Sequence, residues 1–559
     1  MNNATLARLN ASDVSGEIYD VVVIGGGITG AGIALDAASR GLSTIIVEKG
    51  DFASGTSSKS TKLVHGGLRY LQNLQFGVTL ESVRERQLLA RLAPHMVWSL
   101  PFVIPLYRKE RFKNLKLSVG LWVYDLMAGK RGTGFHKRIS RAEVQTRCPG
   151  VRSKGLIGGL MYSDCRTDDA RHTLEVIKTA SAFGAIALNY TRVKGIHKEL
   201  GRVRGVRVIG ADGADALICG RVVINATGVW TQQTSELSGA SSSTEVVPAK
   251  GVHLTLSKDR LPIDCAMILP SPHDKRFCFA VPWYDCIVVG TTDTAYDGDI
   301  EKLRVEPDEL QYCLDSVNAM FPDAHVTTDD VTGSFAGLRP LVQIKGASGS
   351  TADLSRGHHL DESSEGLISI AGGKLTTYRP MAEETVDLAV RSLLVQDPTR
   401  KIAPSSTHEI MLGGWLSGGG CVPMAPLHLA AVRSLISVFE VAARALGLSS
   451  ETASYLPTAY GANTEAVLTL VAEDSSLGEP VSGSHPYILA QVVYAVRSEA
   501  ARTLDDVLSR RIRLSITDRT GALECADSVS RLLAAELGWT EAERLDDLAC
   551  FQNTHSKEN

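Results

Sequence analysis

The run Gly25-Gly26-Gly27-Ile28-Thr29-Gly30 satisfies G-x-G-x-x-G, and Glu48 follows about twenty residues later. Glycines at Gly25, Gly27 and Gly30 allow a tight turn and let the backbone approach a pyrophosphate, whose charge the following helix stabilises with free amides and its positive end. Glu48 is placed to accept hydrogen bonds from an adenosine ribose. NAD and FAD both satisfy this arrangement. Next comes Ser54-Gly55-Thr56-Ser57-Ser58-Lys59-Ser60-Thr61-Lys62, whose small hydroxyls can donate to phosphates and to a ring edge, and then Leu63-Val64-His65-Gly66-Gly67-Leu68-Arg69-Tyr70.

A neutral imidazole can take a proton near pH 7 whereas an arginine cannot, so His253, after Lys250-Gly251, is a candidate general base. A lone histidine on an alternating strand is commonly a satisfied structural residue, so the residues themselves leave the base open. Lys374 precedes an expected helix from Leu375. Its charge and the helix terminus can together stabilise an anion.

These groups need elements to hold them. Tyr19–Ile24 is an apolar run before the glycine turn, Ala31–Arg40 reads as a helix, and Thr44–Val47 is apolar again, so the chain opens on a βαβ unit. A helix is expected over Leu80–Leu92, ahead of Pro94. Val203–Val208 and Arg221–Ile224 flank Ala211-Asp212-Gly213 as a hairpin whose second strand delivers Asn225-Ala226-Thr227-Gly228. Alternating segments across Val246–Val289 predict an antiparallel sheet. Beyond a Gly-, Ser- and Pro-rich stretch at Pro398–Pro426, helical periodicity dominates.

A chain of 559 residues exceeds what one core usually serves. Net charge −4 gives no general attraction to nucleic acid, so no nucleic-acid partner is expected. The ten cysteines form no C-x-x-C pair or metal-ligand spacing, so no metal is expected and a disulfide reductase is disfavoured. Met1–Ile18 resembles neither a secretory signal nor a transit peptide, and no apolar run reaches about 18 residues. One local exception to the acidic balance is Arg108–Arg138, where Arg108, Lys109, Arg111, Lys113, Lys116, Lys130, Arg131, Lys137 and Arg138 face only Glu110 and Asp125. Phe112, Leu115, Leu117, Val119, Leu121, Trp122 and Val123 interleave with them, as in a segment that lies on a membrane surface. The expected location is cytoplasmic, peripheral on the inner face of the cell membrane. A homo-oligomer is compatible with all of this.

Two separated stretches carry a family likeness. Ile24-Gly25-Gly26-Gly27, Gly30-Ala31-Gly32, Ala34, Asp36 and Arg40-Gly41 resemble the amino-terminal signature of FAD-dependent glycerol-3-phosphate dehydrogenases. Gly372-Gly373-Lys374-Leu375-Thr376-Thr377-Tyr378-Arg379 with Ala382 resembles that family's second signature. Between them, His65–Tyr70, Tyr162-Ser163-Asp164, Asp168–Arg171, Asn225–Gly228, Gly290–Asp293 and Gly337-Leu338-Arg339-Pro340 also look like family segments.

The resemblance implies a D-amino-acid-oxidase-like fold of class α/β plus α+β. It comprises a split Rossmann-like FAD-binding domain (18–95, 150–245, 350–400), an antiparallel-sheet substrate domain (96–149, 246–349) and a helical domain (427–559). An amino-terminal tail (1–17) and a linker (401–426) complete it. It implies FAD held by Gly25, Gly27, Gly30, Glu48, Lys49, Thr56, Ser57, Lys62, Leu63, His65, Gly66, Gly67, Thr227, Gly228, Leu375 and Thr376. Arg69, Tyr70, Arg339 and Lys374 are expected on a phosphorylated substrate, and His253, Arg339 and Lys374 in catalysis. The implied reaction is hydride transfer from glycerol 3-phosphate to flavin N5, with electrons passed to a quinone. An oxidase using oxygen, or a related flavoprotein oxidoreductase on another substrate, is the alternative.

Overall fold

The computed structural model describes residues 6, 9–67, 76–129, 134–239, 244–344, 357–414, 429–483 and 485–556. Strand β1 (Ile18–Ile24), helix α1 (Ile28–Ser39) and β2 (Thr44–Val47) begin a first sheet. The chain crosses to a second sheet through β3 (Leu63–Val64), α2 (Phe76–Leu92), β4 (Trp98–Tyr107), α3 (Arg111–Ala128), β5 (Lys137–Ile139) and β6 (Leu156–Arg166). It returns by α4 (Asp169–Ala182) to β7 (Ile186–Leu188), β8 (Arg192–Glu199), β9 (Arg202–Ile209) and β10 (Asp215–Asn225). The second sheet resumes with β11 (Thr244–Ser257), β12 (Ala266–Pro270), β13 (Phe277–Trp283), β14 (Cys286–Gly290), β15 (Thr294–Ala295), α5 (Pro307–Met320) and β16 (Val331–Ile344). β17 (His358–Glu362), β18 (Leu367–Gly372) and α6 (Tyr378–Gln396) complete the first.

The first sheet runs β17-β18-β10-β1-β2-β7, with the β8–β9 hairpin attached to β10. β1 lies parallel to both β2 and β10 at its centre. Alternation sends Val21 and Val23 into a core with α1, α4 and α6, while Val22 and Ile24 face Val206, Val208 and Ile218 on the meander side. Both faces are thus buried, which is why β1 reads as a continuous apolar run. The second sheet is antiparallel except where β12 meets β4. One of its faces packs on α5 through Met267, Leu269, Leu314 and Val317. The other, with Phe102, Tyr162, Val281 and Phe335, packs in part on Leu121 and Tyr124 of α3.

The final part is helical: α7 (Leu429–Ala445), α8 (Ser450–Tyr460), α9 (Thr464–Glu473), α10 (Leu489–Glu499), α11 (Arg519–Leu537) and α12 (Glu541–His555), joined by shorter turns. Its inner side carries buried charge. Arg511 donates to both oxygens of Asp51, at 2.8 and 2.9 Å, just beyond β2. Arg171 of α4 pairs with Glu499 at 2.8 Å. Residues 401–414, part of the segment expected as a linker, are packed: Ile410 and Leu412 are buried in the first core, and the Leu412 amide donates to the Leu92 carbonyl. The remainder of that segment, 415–426, lies outside the described residues.

His485 bridges the units, with Nδ1 2.9 Å from Asp285 and Nε2 3.0 Å from Asp518. The two carboxylates beside the ring push its pKa up to about 9. A folded-state pKa above the unfolded value gives stability that is complete below about pH 6.5 and disappears as pH rises through the folded value. His485→Gln is therefore expected to cost about 1 kcal/mol at pH 6, after allowance for solvent screening, and nothing at pH 10. Thermal midpoints of both proteins at the two pH values check this.

Candidate active site

A single cavity of about 850 Å³ runs from the glycine turn at the end of β1 to the face of the second sheet, within the range of cofactor sites. At its nucleotide end Gly25 has φ +110, and a Cβ there would come within 2.7 Å of the Ala226 carbonyl oxygen. A Cβ at Gly30 would lie 1.9 Å from the Gly25 oxygen, so Gly30 closes the helix on the turn without reaching the cavity itself. α1 begins after Gly27 without a side-chain cap, and Gly27, Ile28 and Thr29 line the cavity, which presents a positive helix end to it. Ser57 Oγ accepts from the Ile28 amide at 2.9 Å. Glu48 is fixed by the amides of Gly26 (2.7 Å) and Gly50 (2.9 Å) and lines the same end. This cradle excludes side chains where a pyrophosphate must approach, and it fits a dinucleotide.

Lys49, Thr56, Leu63, His65, Gly67, Thr227, Gly228, Leu375 and Thr376, which the resemblance assigns to FAD, also line the cavity. Two others stand behind its wall. A Cβ at Gly66 would meet Tyr124 Oη at 2.3 Å, so that glycine admits α3 instead. Lys62 turns its fully buried ammonium away, to the Ser58 carbonyl (2.7 Å) and Asp169 (2.8 and 2.9 Å). Two residues that sequence reasoning did not single out, Trp230 and Glu301, complete the nucleotide end. Lys49 lies 4.0 Å over the Trp230 ring, and both pair with Glu301, Trp230 Nε1 donating at 2.7 Å. Nothing in local spacing announced Glu301, which comes from the segment after β15.

At the other end, three strands deliver the expected catalytic groups. His253 lies on β11, Arg339 on the adjacent β16, and Lys374 just after β18; all three line the cavity with Gly25 and Gly27. The His253 ring stacks on Phe335, with centroids 4.8 Å apart and planes at 13°, and its Nε2 lies 2.9 Å from Thr61 Oγ1. Burial, together with the charges of Lys62 and Arg339, holds this imidazole well below its usual range, and Asp169 opposes them weakly. It is therefore neutral near pH 7. Arg339 is aimed by Asp293 (3.1 Å), Thr291 Oγ1 (2.8 Å) and the Thr292 carbonyl (3.1 Å). Gly372 and Gly373, at φ +81 and +82, turn the chain so that Lys374 enters a 3₁₀ turn, Leu375–Thr377, before α6 begins at Tyr378. The lysine thus stands one turn ahead of the regular helix expected at Leu375. Its Nζ lies 3.3 Å from Ser82 Oγ. Arg69 and Tyr70 lie outside the described residues. Phe102, Ile104, Leu117, Ile268 and Phe279 give this end an apolar wall.

Residues 20–379 match the family described as FAD dependent oxidoreductase, and residues 405–544 match the C-terminal domain of alpha-glycerophosphate oxidase. The chain is 40% identical over 529 residues to glycerol-3-phosphate dehydrogenase 2 of Mycobacterium tuberculosis, covering 94% of this chain and 86% of that one. It is 36% identical over 537 residues to the aerobic glycerol-3-phosphate dehydrogenase of Bacillus subtilis, covering 95% and 93%. The structure of the glycerol-3-phosphate dehydrogenase from Bacillus halodurans complexed with FAD superposes with a TM-score of 0.78 at 32% identity, over 98% of this chain and 96% of that one. A glycine cradle shaped for a dinucleotide, a cationic site facing it and matches that run through both parts of the chain agree: this protein belongs to the FAD-dependent oxidoreductase family, among its glycerol-3-phosphate dehydrogenases.

Proposed function

We propose that the chain oxidises the secondary alcohol of sn-glycerol 3-phosphate to dihydroxyacetone phosphate and passes the electrons to a quinone. The observation that carries this reading is the convergence of His253, Arg339 and Lys374, from three separate strands, on the cavity that the glycine turn opens. FAD supplies the hydride acceptor at N5. Arg339 holds the substrate phosphate or its oxygen, as a planar donor pinned on one side by Asp293 suits. Arg69 and Tyr70, which follow the lining residue Gly67, are assigned to the same anion. His253 takes the hydroxyl proton at Nε2, because Nδ1 is enclosed without a partner among the described residues. Lys374, at a helix entrance, would stabilise negative charge on a reduced flavin bound there. Lys374→Met is then expected to lower the flavin midpoint potential by about 30 mV or more, equivalent to about 1.4 kcal/mol for two electrons. Equilibration against a reference dye reads it.

The apolar wall and what adjoins it support a quinone as the acceptor. Leu117 of α3 lines the cavity, while Leu115, Val119, Trp122 and Leu126 project outward at 56 to 79% exposure, beside exposed Phe135. Their spacing of four, three and four residues makes one stripe on the helix, flanked by exposed Arg108, Lys109, Lys137 and Arg138. Lys130 and Arg131 lie outside the described residues, as do the side chains of Arg111, Phe112, Lys113 and Lys116. An apolar stripe on a segment with exposed cations at both ends suits an anionic membrane surface, where a quinone resides. Among the described residues no helix is long and apolar enough to cross a membrane. Replacing Trp122 and Leu126 by glutamate is expected to reduce flotation with anionic vesicles at least about tenfold, with the flavin spectrum unchanged.

Turnover with a soluble quinone tests the reaction as a whole. Product formation coupled to quinone reduction, with little hydrogen peroxide, is expected. Peroxide formed in step with product would assign the oxidase reaction instead.

A further inference from the structure

Lys62 has no evident reason to be buried. Its side chain is wholly enclosed, it occupies a left-handed backbone conformation at φ +62, and it stands outside the wall of the cavity it was expected to line. Its partners come from distant parts of the chain. Asp169, at the start of α4, accepts from Lys62 Nζ and, through Oδ2, from the Ser60 amide at 2.9 Å. Arg513, from the helical carboxyl-terminal unit and also left-handed at φ +64, donates to Asp169 Oδ1 at 3.1 Å and to the Ser58 carbonyl at 2.9 Å. Lys62 donates to that same Ser58 carbonyl at 2.7 Å. The carbonyl and the carboxylate are thus each shared by two cations from opposite ends of the chain.

This cluster meets the catalytic end of the cavity twice. The residue before Lys62 is Thr61, whose hydroxyl lies against His253 Nε2 at 2.9 Å. The Lys62 ammonium also stands 4.6 Å from the ring of Phe335, and Phe335 stacks flat on the His253 imidazole. One contact fixes the ring edge and the other its plane. Buried ion pairs are weak contributors to stability compared with apolar residues of equal volume, so a purely structural role does not call for charge here.

We infer that Lys62, Asp169 and Arg513 are positioning residues, through which the carboxyl-terminal helical unit sets the orientation and electrostatic surroundings of His253. This rests on the assignment of His253 as the base. The charged groups facing the imidazole are Lys62 from the segment before β3, Arg339 from β16 and Asp169 from α4. Lys62 and Arg339 oppose protonation of the ring in addition to its burial, and Asp169 favours it. Removing the Lys62 charge therefore raises the pH at which the imidazole takes a proton.

The test uses the FAD-loaded full chain with labelled histidines. The His253 resonances are assigned by difference against His253→Asn, and the rate of anaerobic flavin reduction is followed against pH on the same samples. Lys62→Met is expected to move the His253 titration and the acid limb of the rate upward together, by about one pH unit or more. Lys62→Arg is expected to keep both at the parent position. Where Lys62→Met does not hold FAD, Lys62→Gln, which can still donate to Ser58 and Asp169, is read in the same way. Resonances that move while the acid limb stays fixed uphold the cluster and overturn His253 as the base. Resonances that stay fixed, with only a lowered thermal midpoint, overturn the cluster and make its role structural.

Discussion

Replacing His253 with asparagine is expected to slow anaerobic flavin reduction by glycerol 3-phosphate about 10²- to 10⁴-fold, the usual contribution of a positioned base, while the half-saturating concentration changes less than about threefold. Asparagine can keep a contact with Thr61 but cannot accept a proton in the working pH range. The effect therefore falls on the chemical step. Because the imidazole is held well below its usual range by burial and by Lys62 and Arg339, the parent rate should show no acid limb near pH 6.5. It should fall only at lower pH, where the ring gains its proton. Stopped-flow traces over a pH series check both statements. Unchanged single-turnover reduction in the variant would remove His253 from the chemistry.

Arg339→Met is expected to reduce kcat/KM by about 10²- to 10³-fold, from losing a charge-assisted hydrogen-bonding partner at a partly enclosed site. The variant removes one cation from beside Asp293, whose side chain is only 8% exposed and which would then face an anionic substrate, so repulsion adds to the lost attraction. Arg339→Lys should recover only part of the loss, since an ammonium cannot reproduce three directed contacts to Thr291, Thr292 and Asp293 while also binding substrate. Glycerol, which lacks the phosphate, provides the contrast. Its slow turnover should be far less sensitive to Arg339→Met if the guanidinium serves the phosphate. An equal loss with both substrates would place Arg339 on the reacting hydroxyl instead.

What could be read in advance was whatever neighbouring residues decide among themselves. The β1-α1-β2 unit, its glycine turn and Glu48 at the next strand end lie within a single local fold, and each emerges where the apolar runs place it. The hairpin around Ala211-Asp212-Gly213 is legible for the same reason. His253 and Arg339 are different. They share a cavity because β11 and β16 pair with Ala249 opposite Arg339 and His253 opposite Phe335, a register that no local pattern states. Only the family resemblance brought them together. Lys62 was expected on the cofactor only through the resemblance, yet its direction is set by Asp169 and by Arg513, 451 positions away in the chain. Likewise the composition of residues 401–414 suggests a free linker, and only the positions of Ile410 and Leu412 against the first core reveal that it is packed. In each case the missing information is a tertiary contact.

The reading of the cavity as a flavin site with a phosphorylated polyol between His253, Arg339 and Lys374 can be tested in one mixing experiment. FAD-loaded protein is combined anaerobically with glycerol 3-phosphate, and in parallel with glycerol at the same concentration. Loss of the oxidised flavin absorbance with the phosphorylated compound, with one equivalent of dihydroxyacetone phosphate formed and little change with glycerol, is the expected result. A flavin that dithionite reduces but glycerol 3-phosphate leaves oxidised would contradict it.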